Sequence, residues 1–123
     1  EIFIKSINSL AFNMIALKYY QSNYELNKNI KAKKEVMKIL HEGDKILKKN
    51  KIKVYQSPSS RIIQTLKSRK HTMSMLTSLK SNKKIELKNL WLSFKNLKDN
   101  LQIKMEKTEM TYKYLEKKLN EFI

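Results

Sequence analysis

Gly43 and Pro58 are the only residues of their kinds in this 123-residue chain. Ordinary globular usage would supply about eight glycines and about six prolines over such a length. A compact sheet protein needs turn punctuation about every 8 to 12 residues, and none is present. Turns must therefore be few and helices long, and the expected fold class is all-α, a multi-helix bundle. The same scarcity removes any phosphate-binding loop of the GxGxxG or Walker type. Those turns need several residues without a Cβ so that backbone N–H groups can approach phosphate. The length suits a single domain, enough to bury about two-thirds of the surface of the unfolded chain.

Apolar patterning sets the expected helices. Residues 1 to about 20 are apolar almost all round, from Ile2, Phe3 and Ile4 through Leu10, Phe12 and Leu17, which describes a central helix buried on most faces. A polar stretch at 21–29 leads to a second helix over 30–50, whose inward stripe is Val36, Ile39, Leu40, Ile46 and Leu47 and which Gly43 interrupts and weakens. Ser57 as cap and Pro58 at the first helical position predict a short helix to about residue 67. A basic linker at 68–73 precedes a short helical turn from Ser74 that carries Met75, Leu76 and Leu79. Leu87, Leu90, Trp91, Phe94 and Leu97, then Tyr112, Leu115, Leu119 and Phe122, recur at helical spacing and predict two amphipathic helices joined near residues 99–104.

Several function classes are excluded or weakened by composition. There is no cysteine, so disulfides and thiolate metal sites are absent, and His41 and His71 lack ligand-like spacing; no metal site is expected. The longest uncharged stretch near the start, residues 6–17, is too short to span a bilayer and has no small-residue cleavage site, so the expectation is a soluble, cytoplasmic protein without a membrane partner. The net charge of +16 would attract phosphate backbones. Yet only Arg61 and Arg69 are arginine, and 25 lysines are scattered over every segment. Arginine is the preferred residue for planar phosphate recognition, so the lysines read as a solvated surface and nucleic acid as an unlikely partner.

Polar residues in apolar company carry the functional information. Lys5, Ser9 and Asn13 fall at i, i+4 and i+8 of the first helix and share one face. Buried polar groups are costly unless paired, so this stripe faces a ligand, water or a partner. The alternative is that Lys5 snorkels to solvent while Asn13 caps a neighbouring element.

The segment EIFIKSINSLAFN resembles the opening of the C-terminal domain of ketopantoate (2-dehydropantoate) reductases, with Phe3, Lys5 and Asn13 on its pattern. SMLTSLKSNKKIE is similar to the same family's second signature, with Ser74, Met75, Leu76 and Glu86 at the matching spacing. The resemblance implies the helical substrate-binding and dimerisation domain of a 6-phosphogluconate dehydrogenase-like reductase. Such an enzyme converts ketopantoate to pantoate with NADPH in pantothenate and coenzyme A biosynthesis. It implies Lys5 as the general acid that protonates the substrate oxygen. It also implies Ser9, Asn13 and Ser74 as substrate contacts, and Glu86 as the group that contacts a substrate hydroxyl or orients the lysine. For Glu86 the competing role is a carboxylate favoured by a helix N-terminus, and for Ser74 a plain helix cap. NADPH would be bound mainly by an N-terminal Rossmann domain absent from these residues, so the chain alone is not expected to be active. The departures are Ser9 for an asparagine, Ser78 for an aspartate, Leu92 for a glycine and a missing proline near Met105; Asn8 lies about 100° round the helix and cannot replace the lost carboxamide. The competing readings are a basic helical module for nucleic acid or protein interaction and a scaffold that forms a homodimer through an exposed apolar face including Trp91 and Phe94.

Overall fold

The first helix, α1 (Ile2–Tyr19), is wrapped by others along most of its length: Ile7, Leu10, Ala11, Met14, Ile15 and Ala16 are fully removed from solvent. Each large side chain so buried contributes roughly 1.5–3 kcal/mol, which is why α1 tolerates so few polar residues. The computed structural model describes residues 2–68 and 71–123; the expected helix start at Glu1, and Arg69 and Lys70 of the expected linker, lie outside the described residues. After α1 come α2 (Asn23–Asn27), α3 (Ile30–Lys49), α4 (Pro58–Leu66), α5 (Ser74–Lys80), α6 (Leu87–Asn100) and α7 (Glu106–Lys118), closed by a 3-10 turn at Asn120–Phe122. There is no strand among the described residues, and one contiguous core runs from Ile7 to Leu115. The all-α bundle around a central helix is therefore the observed architecture.

Four details differ from the sequence expectation. The polar stretch at 21–29 holds α2, started by a capping box in which Ser22 accepts from the Glu25 N–H and Glu25 accepts from the Ser22 N–H. Gly43 does not interrupt α3, because its lack of a side chain is a packing requirement. A Cβ there would run into the Ile7 side chain on α1, so the glycine lets the two helices approach. Leu119 and Phe122 fall beyond the end of α7. Finally, Trp91 and Phe94 are buried within the domain, with Trp91 stacked on Tyr112 of α7 at 5.7 Å between ring centroids, so they provide no exposed face for a dimer.

Helix ends are made without glycine. Tyr20, Lys51, Asn82 and Gln102 take φ of 54°, 59°, 57° and 55°, the left-handed conformation that closes a helix C-terminus. At three of them the paired backbone bonds of a Schellman motif are present, as in Lys51 N–H to the Lys48 carbonyl at 3.0 Å and Ile52 N–H to the Leu47 carbonyl at 2.9 Å. A side chain in this conformation costs roughly 1–2 kcal/mol, and the chain bears that cost repeatedly.

Two carboxylates of α3 hold α7 in place. Glu42 accepts the backbone N–H groups of Lys107 and Thr108, both at 2.8 Å, and so caps α7 from a different helix. Glu35, buried two turns earlier, accepts Lys18 Nζ of α1 at 2.6 Å and Lys107 Nζ of α7 at 3.0 Å. Burial alone would push the Glu35 carboxyl up; the Lys18 and Lys107 ammonium groups bonded to it, with the Tyr19 phenol close by, outweigh it and bring it down to about 2 from 4.5. Burial, then the neighbouring Glu35 carboxylate, pushes the Tyr19 phenol up to about 12.

Two outcomes follow from these features. Lys51→Gly and Gln102→Gly should each raise stability by about 0.5–1 kcal/mol by relieving the left-handed residue, whereas Lys48→Gly inside α3 should lower it by about 1 kcal/mol. Urea midpoints read the difference, and equal losses at all three positions would contradict the assignment. The Glu35 carboxyl has a folded pKa below its unfolded value, so its stabilisation is complete above about pH 4.5 and lost as pH falls towards about 2. The stability gap between the natural chain and Glu35→Gln should therefore narrow across that window, and a gap that stays constant would rule the network out as its source.

Candidate functional site

α1 can present a polar group to its neighbours only where that group finds a partner inside the bundle. Asn13, 4% exposed, does so with both ends of its carboxamide. Its Nδ2 donates to the Ser9 carbonyl at 2.8 Å and the Ser9 hydroxyl at 3.2 Å, while Oδ1 accepts the Met75 N–H at 3.0 Å. The last bond satisfies an orphan donor in the first turn of α5. Met73 occupies the cap position there and offers no side-chain bond, so the cap comes from another helix.

Above Asn13 lies an open cavity of about 480 Å³ whose wall includes Ser9 of α1, Ser74 and Ser78 of α5, and Lys84, Glu86 and Asn89 around the start of α6. Small-molecule clefts commonly have volumes of about 300–1,000 Å³. Residues separated by most of the chain, Ser9, Ser74 and Glu86, are thus brought to one surface. Ser74 is the first residue of α5, is exposed and does not cap the helix. Glu86 stands at the cap position of α6 and makes no cap bond; its Oε2 accepts Asn89 Nδ2 at 3.3 Å. Ser74 is thus not the cap of α5, whereas Glu86 does stand at the N-terminus of α6, where the helix dipole favours a carboxylate.

Lys5 is placed differently. It is exposed, stands one turn before Ser9 on α1, and is not part of the cavity wall. Its α-carbon is about 6 Å along the helix from that of Ser9. Asn13 supports the cavity from below and does not line it. Asn8 is turned away: its Oδ1 accepts Arg61 Nε at 3.0 Å and a second guanidinium nitrogen at 2.8 Å, while Arg61 also pairs with Asp44 at 2.7 Å.

Sequence reasoning missed Lys84, Asn89 and Ser93 in the wall. Glu86, Asn89 and Ser93 recur at i, i+3 and i+7, so helical periodicity marks them as one polar face. Lys84 lies in the turn before α6, where no periodicity applies. Chemically, the wall offers hydroxyl and amide donors, one ammonium and one carboxylate. That set suits a small anionic ligand that also bears a hydroxyl.

A dinucleotide does not fit these residues. The only glycine is buried in mid-α3 against Ile7, far from any turn that could approach a pyrophosphate. Among the described residues there is no group of three or more acidic, histidine or cysteine side chains able to hold a metal ion, and no helix is long and apolar enough to cross a membrane. Comparison with protein-family models, curated proteins and solved structures found no match.

Proposed function

We propose that the chain is the substrate-binding helical domain of a 2-dehydropantoate 2-reductase-like oxidoreductase acting on a small 2-oxo acid. The observation that carries this reading is the convergence of Ser9, Ser74 and Glu86 on one cavity. These are residues that the family resemblance assigns to one substrate. In this reading Glu86 accepts a bond from a substrate hydroxyl, Ser9 and Ser74 donate to substrate oxygens, and Lys84 supplies a charge for the acid group. Lys5 reaches over the edge and gives its proton to the carbonyl oxygen as negative charge develops there. Asn13 acts as a positioning residue, holding Ser9 and α5 in register. NADPH belongs to a Rossmann domain outside these residues, and this chain carries no step of the hydride transfer.

A nucleic-acid reading draws on the exposed tyrosines paired with lysines, Tyr20 beneath Lys80 at 5.1 Å and Tyr55 beneath Lys53 at 6.0 Å. Exposed rings near cations suit single-stranded nucleic acid. Here the pairs sit on separate elements with no shared groove, and the substrate reading is preferred.

Titration of the isotope-labelled chain with 2-dehydropantoate should shift the amides of Ser9, Ser74 and Glu86, with affinity lowered at least about tenfold by Glu86→Ala. Joined to a dinucleotide domain, Lys5→Ala should lower turnover by about 10²-fold or more with NADPH affinity nearly intact. Shifts elsewhere, undiminished turnover, or tight salt-dependent binding of single-stranded nucleic acid instead would contradict the proposal.

A further inference from the structure

On the far side of α3 from α7, the bundle leaves an apolar groove uncovered. It runs between the first turns of α3 and the exposed flank of α4, has a volume of about 490 Å³, and carries Ile30 and Met37 on one wall and Ile62 and Ile63 on the other. Ile30 and Ile63 are 68% and 69% exposed, among the most exposed large apolar side chains of the chain. An isolated exposed isoleucine is unremarkable, but two facing each other across a groove with an apolar floor form a continuous surface.

The charged residues of the groove are all cationic. Lys33, Lys34 and Lys38 stand along it with the neutral Asn27 and Ser59, and among the described residues no carboxylate lines it. The acidic residues of α3 point elsewhere: Glu35 and Glu42 bond to α7, and Asp44 pairs with Arg61. From Ile30 to Lys38 the groove covers about 12 Å of α3, the length of roughly two helical turns.

We infer that this groove docks an acidic amphipathic helix of a partner protein. Its apolar side chains at i, i+3 or i+4 would fill the space between the isoleucines. Carboxylates flanking that stripe would meet Lys33, Lys34 and Lys38. Three considerations select this occupant. A concave, two-turn groove matches a convex helix, whereas a membrane surface is too flat to fill it. A second copy would bring a like-charged lysine rim against this one, on top of a net charge of +16 per chain. A neutral apolar helix would leave the three ammonium groups without counterparts. This surface is separate from the Ser9–Ser74–Glu86 cavity and does not rest on its assignment.

The test uses the complete 123-residue chain and a synthetic helical peptide of about 15 residues, roughly four turns, with leucines at i, i+3, i+4 and i+7 and glutamates beside them. The expected result is saturable binding that shifts the amides of Ile30, Lys34 and Ile63. Ile63→Asp and Lys34→Glu should each weaken it at least about tenfold, as should replacing the peptide's glutamates with lysines. Both substitutions are at exposed positions, so the folded state survives them. The proposal is overturned by absence of binding, by equal binding of a scrambled peptide, or by shifts centred away from the groove. Self-association through the groove, or occupation of it only by vesicles of anionic lipid, overturns it equally.

Discussion

The Asn13 carboxamide is the interaction on which the candidate site depends. α1 is buried nearly all round, and a polar group placed there must be satisfied within the bundle or carry a penalty of several kcal/mol. Asn13 meets that demand by bonding Ser9 on its own helix and the Met75 N–H on α5. One side chain therefore orients Ser9, caps the short α5 and sets Ser74 at the cavity's edge. The same solution recurs where Glu42 of α3 caps α7. α5 and α7 are thus started by side chains from other helices, whereas α2 and α4 carry their own serine caps, so at α5 and α7 local structure and tertiary packing form together.

Much of the fold was legible because burial writes a period into the chain. The apolar run of α1, the stripe of α3 and the Ser57–Pro58 start of α4 each correspond to an observed element. What escaped has physical causes. Gly43 reads as a weak point when helix propensity is considered alone, whereas the Ile7 side chain opposite makes it a contact requirement that only the folded pair of helices reveals. Of the left-handed helix ends, Asn82 uses a residue suited to that conformation, but Tyr20, Lys51 and Gln102 carry no turn signature, since tertiary contacts and backbone bonds impose the conformation. By contrast, the Ser22–Glu25 capping box was written in the sequence and marks a helix start within a polar stretch.

The candidate site was partly legible. Lys5, Ser9 and Asn13 share a face as helical spacing requires, but spacing alone does not divide their roles: Ser9 lines the cavity, Asn13 lies beneath it and Lys5 stands outside it. Ser74 and Glu86 were found through resemblance to a family signature and are brought to the same wall. Lys84 was hidden in a polar turn among other lysines, where abundance masks significance. The strong positive charge is a similar case, because its count is visible in sequence while its use, as at the lysine rim of the α3–α4 groove, depends on which lysines face one another.

The account stands most directly on the bond from Asn13 to Met75, which hydrogen exchange of the Met75 amide reads in the native chain. Asn13→Ala should speed that exchange selectively, by about 10-fold or more relative to amides in the middle of α3, and should broaden or shift Ser9 and Ser74 together. Uniform acceleration across the chain, or a Met75 amide that remains as protected as before, would contradict the claim that this carboxamide assembles the site.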